Sequence, residues 1–311
     1  LLSLLFALFL GVPQLFATHD VGGNISYVFR GDPDGDGLYT YEVTLTTYQD
    51  CQSIFWNTQP GGTFPLPSQT IGVYEGFDTT SVLNRVSLST LNLLDSTRIE
   101  IQLPSGCPSP PASVCVYEVR YRGLVNLPIT FQGYHFVFDK CCRNVLTNIL
   151  SPQPPSPGGG TGIVYHAWTS GPLTGNSSPV FTDLSVPFIC VGDTTPILNT
   201  ATDPNGDQLL FSFERPYDGL ATNSGSNQPP VYNWPPSTVN YFAGYSEFNP
   251  FGAGGYAFLN AFTGYTEYFT PRQGSFGITV QIKELNANGN LVGFSRRHYQ
   301  FQALLKQSSV P

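Results

Sequence analysis

Apolar and polar residues alternate with a period of two through many short segments of this chain. Ile25, Tyr27 and Phe29 share one side of an extended backbone, and residues 41–46 continue the pattern after a turn at 31–37. Successive side chains of a strand point to opposite faces, so this alternation predicts a β-hairpin with one buried face. No stretch longer than one turn carries helical periodicity, and we predict an all-β protein. Further strands are predicted at residues 99–103, 115–122, 134–138, 209–213, 278–283 and 299–303.

The 311 residues are enough for two domains, and their turn residues suggest where one ends. The Pro- and Gly-rich stretch 151–162 is either an interdomain linker or a long surface loop. Short strands separated by turn signals are typical of β-sandwiches. We therefore predict tandem immunoglobulin-like β-sandwiches with long loops. The first covers residues 18–150, and the second, immunoglobulin- or cadherin-like, covers residues 163–311.

The N-terminal residues 1–17 form an apolar run of the length found in signal peptides, followed by a small residue, Ala17. The run is too short to span a bilayer comfortably. We therefore expect an exported protein, secreted or held at the cell surface, with no membrane span in its mature chain. The alternative is an apolar N-terminal strand that inserts into the sheet of a neighbouring subunit.

Two adjacent cysteines mark a branch point in the chain. In extended backbone their side chains point to opposite sides, so each thiol reaches a different partner. The chain has no CxxC pair and its four histidines are scattered, so the spacing of a zinc site is absent. An exported protein would form disulfides, whereas six buried free thiols are the alternative. The six cysteines are Cys51, Cys107, Cys115, Cys141, Cys142 and Cys190.

The spacing of the cysteines suggests part of the pairing. Cys107 and Cys115 bracket a Pro-rich turn, and we predict a bond between them. The remaining four cysteines then share two bonds, in which Cys51 and Cys190 are the expected partners of the adjacent pair. The sequence leaves open which partner each takes.

Charge and motifs exclude several classes of function. The net charge is −8, and phosphate binding needs a basic face, so nucleic acid is not an expected partner. The sequence contains no GxSxG, HExxH or phosphate-binding loop. His135, His166 and His298 lie in or near predicted strands, where we expect them to be structural. We therefore predict a protein that is not an enzyme, and a hydrolase is the third class considered.

Calcium is the one cofactor that the acidic loops suggest. Asp32, Asp34 and Asp36 stand at alternate positions with a Gly sixth, as in the start of an EF-hand loop. The twelfth position is Val43 rather than Glu, so an EF-hand is rejected. A calcium-bound hairpin loop remains one interpretation, and a solvated turn stabilised by Asp and Gly is the other.

Aromatic residues cluster in the loop-rich stretch 219–264. Trp234, Tyr241 and Tyr245 could form a platform on which sugar rings stack. Alternatively, these side chains fill a core or a protein–protein interface, because aromatic residues dominate both.

The chain resembles the N-terminal region of large Bacteroidota surface proteins that are exported by the type IX secretion system and described as gliding-motility-associated. Each matching motif is weak alone, but they occur in order over most of the chain. The motifs are GGNISY from Gly22, YEVTLTTYQDC from Tyr41, FDKCCRN from Phe138, NSSP from Asn176, ATDPNGD from Ala201, GYS from Gly244, and the final hairpin through Ser295-Arg296-Arg297.

The resemblance implies immunoglobulin-like or cadherin-like modules in a surface protein. Its Asp-Pro-Asn-Gly-Asp turn is similar to a cadherin-like turn that sometimes binds calcium, through Asp203, Asn205 and Asp207. Short Asp-Ser/Thr motifs match the O-glycosylation pattern of Bacteroidota and imply three acceptors, which are Thr79, Ser96 and Thr194.

These observations lead to one preferred function and one alternative. We expect a non-enzymatic extracellular structural protein, a subunit or segment of a cell-surface adhesin or filament. Its partners would be further copies of itself or other surface proteins, and glycans. The alternative is a carbohydrate-binding module of a surface protein or a polysaccharide-degrading protein.

Overall fold

The computed structural model describes residues 20–50, 65–77, 84–100, 107, 115–140, 143–151, 161–183, 188–219 and 236–305. Within these ranges the regular structure consists of β-strands and one short 3₁₀ helix, Pro172–Thr174. The all-β prediction is therefore confirmed.

The strands fall into two successive groups along the chain. The first group is β1 (Asp20–Gly31), β2 (Tyr39–Asp50), β3 (Ser68–Glu75), β4 (Asn84–Arg98), β5 (Val116–Leu127), β6 (Tyr134–Lys140), β7 (Ile149–Leu150), β8 (Ile163–Thr169) and β9 (Val180–Phe181). The second group is β10 (Phe188–Cys190), β11 (Thr195–Leu198), β12 (Ala201–Thr202), β13 (Gln208–Glu214), β14 (Asn240–Tyr241), β15 (Tyr256–Leu259), β16 (Tyr265–Phe269), β17 (Gly274–Leu285) and β18 (Leu291–Leu304).

The predicted first hairpin is present as β1 and β2. The strands pair antiparallel, with Ile25 opposite Leu45 and Tyr27 opposite Val43. All four side chains are buried, because alternation places them on one face and a one-residue shift would expose them. The predicted strands at 115–122, 134–138, 209–213, 278–283 and 299–303 are also present, as β5, β6, β13, β17 and β18.

Eight strands form a closed ring of pairings in the order β1, β2, β5, β4, β3, β6, β8, β18 and back to β1. Two glycines make the closure possible, because β1 is paired with both β2 and β18 at Gly22 and Gly23. A Cβ added at Gly22 would lie 2.5 Å from the carbonyl oxygen of His298, and one at Gly23 would lie 2.5 Å from that of Thr46. Any larger residue would therefore push the strands apart.

The first hydrophobic core packs between the strands of this ring. It is rich in aromatic rings, and Phe136 lies 5.3 Å from the ring of Tyr27 and 5.7 Å from that of Tyr41. Strand β8 supplies Ile163, Tyr165 and Ala167 to the same core. The sequence interpretation had assigned β8 to the second unit, but its side chains complete the first.

The second core lies between two sheets. One layer consists of β13, β17, β18 and β10, and the other of β11, β16 and β15. Phe251, from the stretch expected to form loops, is fully buried between them beside Phe276 and Tyr268. The glycine- and aromatic-rich stretch therefore contributes to a core as well as to turns.

The two cores share strand β18. One edge of β18 pairs along its length with β17, and the other edge pairs in succession with β8, β1 and β10. The strands of both halves thus belong to one large, mainly antiparallel sheet. Two separate immunoglobulin-like sandwiches were predicted, whereas the described residues form two cores on a common strand.

Candidate functional site

Strand β18 carries polar and charged side chains into the buried region where the two cores meet. We call this region the β18 junction and define it by Arg296, Arg297, His298 and Gln300 with the residues that contact them. All four side chains are buried, at 5% exposure or less. Buried polar groups are costly unless they are hydrogen-bonded, so their contacts determine how the halves are joined.

Arg143 holds the segment after the adjacent cysteines against β18. Its guanidinium donates to the carbonyl oxygens of Gly162 and Tyr217, each at 3.0 Å, and to Nε2 of His298. Burial lowers the pKa of Arg143 to about 10, an effect that Tyr165 and Asp218 partly offset. The side chain therefore remains a buried cation at neutral pH.

His298 accepts this hydrogen bond as a neutral imidazole. Burial, followed by the charges of Arg143 and Arg296, lowers the pKa of His298 well below its usual value. The Nδ1 atom lies 3.0 Å from Oγ1 of Thr279, so the network assigns the proton to Nδ1 and leaves Nε2 as the acceptor.

A second set of contacts connects the two ends of the described chain. The Asn144 amide donates to Gln300 at 3.0 Å, and the Gln300 amide donates to the carbonyl oxygen of Asp20 at 2.9 Å. The Asp20 carboxylate in turn lies 2.9 Å from the ammonium of Lys140. Residues on both sides of the adjacent cysteines thus contact one network.

Arg297 points to the other face of β18 and is surrounded by aromatic rings. Its guanidinium lies 4.2 Å from the ring centre of Phe181 and 5.3 Å from that of Tyr299. One Nη donates to the Tyr48 hydroxyl at 2.7 Å and to the carbonyl oxygen of Asp183 at 3.2 Å. Cation–π contacts and hydrogen bonds therefore stabilise this buried charge.

Glu284 is a buried carboxyl at the opposite end of β17. Asn176 donates to its Oε2 at 2.5 Å, and Gly293 stands opposite it on β18, where a Cβ would lie 2.7 Å from the carboxyl oxygens. Burial raises the pKa of Glu284 well above its usual value, and the negative charges of Asp203 and Asp207 raise it further. The carboxyl is consequently expected to keep its proton at neutral pH.

The described disulfide differs from the predicted pairing. Cys107 is bonded to Cys190, with their Cα atoms 5.8 Å apart, and not to Cys115. Cys115 is also disulfide-bonded. Because Cys107 occupies Cys190, the expected bond from Cys190 to the adjacent cysteines is wrong. The sequence spacing misled the pairing, since cysteines distant in the chain are brought together only by the fold. Cys51, Cys141 and Cys142 lie outside the described residues.

The two acidic loops lie at the same end of the molecule. Ser177 connects them, because its backbone N–H donates to Asn205 at 2.8 Å and its hydroxyl accepts from Phe29 at 3.0 Å, just before the first loop. The Asp32 carboxylate accepts from the N–H groups of Gly35, Asp36 and Gly37, and Asp36 accepts from Leu38. The first loop is therefore an Asp-stabilised turn. Asp34 is exposed on it.

The second loop has the same character. The Asp203 carboxylate accepts from the N–H groups of Asn205 and Asp207 at 2.8 and 3.0 Å. Burial, with the charge of Asp203, raises the pKa of Asp207. Over the described residues, no group of three or more His, Cys, Asp or Glu side chains is placed to hold a metal ion. Calcium binding by either loop stays a prediction.

The predicted sugar platform is only partly described. Tyr241 is half-buried beneath the guanidinium of Arg215, 5.5 Å from its ring centre, and Tyr245 packs against the second core. Trp234 lies outside the described residues. Among the predicted glycosylation acceptors, Ser96 and Thr194 are exposed, and Thr194 is hydrogen-bonded to the Tyr256 hydroxyl at 2.8 Å. Thr79 lies outside the described residues.

Two further histidines form a buried pair beneath the first core. Nδ1 of His135 lies 2.9 Å from Nε2 of His166, and Nε2 of His135 lies 3.1 Å from the carbonyl oxygen of Gly76. Burial lowers the pKa of His135 to about 3 and that of His166 well below its usual value. Both rings are therefore neutral and shielded from solvent, and they join strands β6 and β8.

Sequence reasoning singled out the cysteine pair but missed the role of the residues that follow it. Arg143 and Asn144 are the contacts that the structure shows at this point. An arginine and an asparagine after two cysteines carry no local signal of burial, since their partners on β18 are more than 150 residues away. Glu284 gave a weak signal, because it breaks the alternation of β17 with an acid on the core-facing side.

Comparison of the chain with protein-family models gives no match, and neither does comparison with curated proteins or with solved structures. The part of the chain that the structure describes contains no helix of the length and apolarity needed to cross a membrane.

Proposed function

We propose that this protein is a non-enzymatic structural component of the cell exterior, a subunit or segment of a surface adhesin or an extracellular filament. One observation carries the proposal, namely that both cores are built on strand β18. A strand paired on one edge with β17 and on the other with β8, β1 and β10 leaves no free hinge between the cores. A stiff, cross-linked body of this kind suits a protein that bears mechanical stress.

Exposed aromatic side chains on the second half support self-association. Phe262 and Phe248 are exposed at 71% and 70%, and Phe258 on β15 at 49%. Large apolar groups in contact with water favour burial against another surface. If the contact is heterologous and does not close, copies would add head to tail into a fibre.

Light scattering coupled to size exclusion, with negative-stain imaging, tests the proposal on purified mature protein over a range of concentrations. We expect oligomers or fibres that grow with concentration. Phe262→Ser should reduce assembly, whereas Phe131→Ser, a change at a similarly exposed ring (80%) on the first half, should not. A compact monomer at every concentration would count against the filament role, and turnover of polysaccharide or peptide substrates would count against a non-enzymatic one.

A further inference from the structure

A cavity of about 360 Å³ lies on the face of the β13–β17–β18 layer that points away from the second core. Its sheet residues include Gln281, Lys283 and Arg296, which alternate with core residues such as Ile282. The volume falls at the lower end of the range for small-molecule sites, roughly 300–1,000 Å³. A monosaccharide or a molecule of similar size would therefore suit it better than a polymer segment.

The lining of this cavity reverses the sign of the chain's charge. Arg215, Lys283 and Arg296 line it, although the whole chain has only 13 basic residues against 21 acidic ones. Arg215 lies 3.3 Å from Glu247, and Arg296 lies 3.8 Å from Glu214. No ion pair joins Lys283 to a described acid. Three cations against two carboxylates leave one positive charge, which matches a singly charged anion better than a phosphate dianion.

Arg296 is held rigidly in the wall of the cavity. Its guanidinium stacks 4.0 Å from the ring centre of Tyr217 and donates to the carbonyl oxygen of Arg215 at 3.0 Å. Its Nε is buried and has no hydrogen-bond partner among the described residues. A fixed guanidinium with an unused N–H loses little entropy when it binds a carboxylate.

The remaining lining offers both apolar and hydrogen-bonding surface. Phe294 and Leu291 are apolar, whereas Gln281 and Thr238 carry polar side chains. A sugar ring presents C–H groups on its faces and hydroxyls at its rim, and a sugar acid adds one carboxylate. We propose that this cavity binds a small acidic sugar, a hexuronic acid, with its carboxylate between Lys283 and Arg296.

Titration calorimetry on the full chain tests this site with galacturonate and glucuronate as probes. The matched neutral sugars, galactose and glucose, lack the carboxylate, and benzoate lacks the hydroxyls. We expect a uronate to bind, the neutral sugars not to bind, and benzoate and inorganic phosphate to bind more weakly. Added salt should weaken uronate binding, because part of the site faces solvent.

Lys283→Glu should weaken uronate binding at least about tenfold, a change of about 1.4 kcal/mol. Lys283 is exposed, so the variant should fold, and Lys283→Arg should bind nearly as the parent does. Arg30→Glu, at an exposed cation on β1, is the matched control for charge reversal and should leave binding unchanged. The proposal is overturned if neither uronate binds, if neutral sugars bind equally well, or if Lys283→Glu binds as tightly as the parent. Assembly into oligomers is a separate readout, so this site and the structural role can fail independently.

Discussion

The first core and the β18 junction are held together by different forces. The first core consists of aliphatic and aromatic side chains from seven neighbouring strands, all of them buried. The junction buries Arg143, Arg297 and His298, and its stability depends on hydrogen bonds and aromatic contacts. Apolar burial is non-directional and tolerates substitution by similar shapes, whereas buried polar networks require specific partners. The core should therefore determine how stable the protein is, and the junction how the halves are arranged.

The largest effect is expected from a cavity in the first core. Phe136 is fully buried against Tyr27 and Tyr41, so Phe136→Ala should lower the free energy of unfolding by about 3–5 kcal/mol. Urea denaturation measures the change. Phe131→Ala removes the same ring where it is 80% exposed and should change stability by less than about 0.5 kcal/mol. Equal losses in the two variants would contradict the assignment of the core.

A smaller but more local effect is expected in the junction. Arg143→Ala leaves the carbonyl oxygens of Gly162 and Tyr217 and the Nε2 of His298 without their donor, which should cost about 2–4 kcal/mol. Hydrogen exchange should accelerate in β17 and β18 while β2 and β5 remain protected. Arg122→Ala, at an exposed arginine near Glu42, is the control and should cost less than about 1 kcal/mol. Uniform acceleration over both halves would refute a junction that acts locally.

Acid should destabilise both regions through their histidines. The folded-state pKa values of His135, His166 and His298 are lowered by burial, so the unfolded chain binds more protons below its own histidine pKa, about 6.5. Stability is fully present above that pH and falls below it, by about 1.4 kcal/mol per pH unit for each histidine. Urea titrations between about pH 7.5 and 4.5 measure the slope. His298→Asn should make the slope shallower, and a flat profile would mean that the histidines are not buried neutral.

Glu284 should give the smallest effect and the opposite sign. Its folded-state pKa is raised, so the unfolded chain loses a proton first as pH rises above about 4.3, and stability falls with increasing pH. Glu284→Gln keeps an acceptor for Asn176 and removes the titration, so it should stabilise the protein at pH 7 by about 1–2 kcal/mol. Glu100→Gln, at an exposed position, should be neutral. A destabilising Glu284→Gln at pH 7 would show that the carboxyl is ionised in the folded protein.

The sequence determined the strands that carry clear alternation, because that signal is local. The register of β1 with β2 and the core-facing residues of β17 and β18 follow from period-two patterning alone. Strands β3, β4 and β8 were missed. The alternation rule could not say which strands become neighbours, since pairing partners lie far apart in the chain.

Only the tertiary structure decided how the two halves meet. The Gln300–Asp20 contact spans 280 residues and the Arg143–His298 contact spans 155, and nothing in the local sequence of these residues encodes the other partner. The Cys107–Cys190 bond and the convergence of Arg215, Lys283 and Arg296 on one cavity have the same origin. Local pattern specifies which face of a strand is buried, whereas sites and junctions arise where distant strands share an edge.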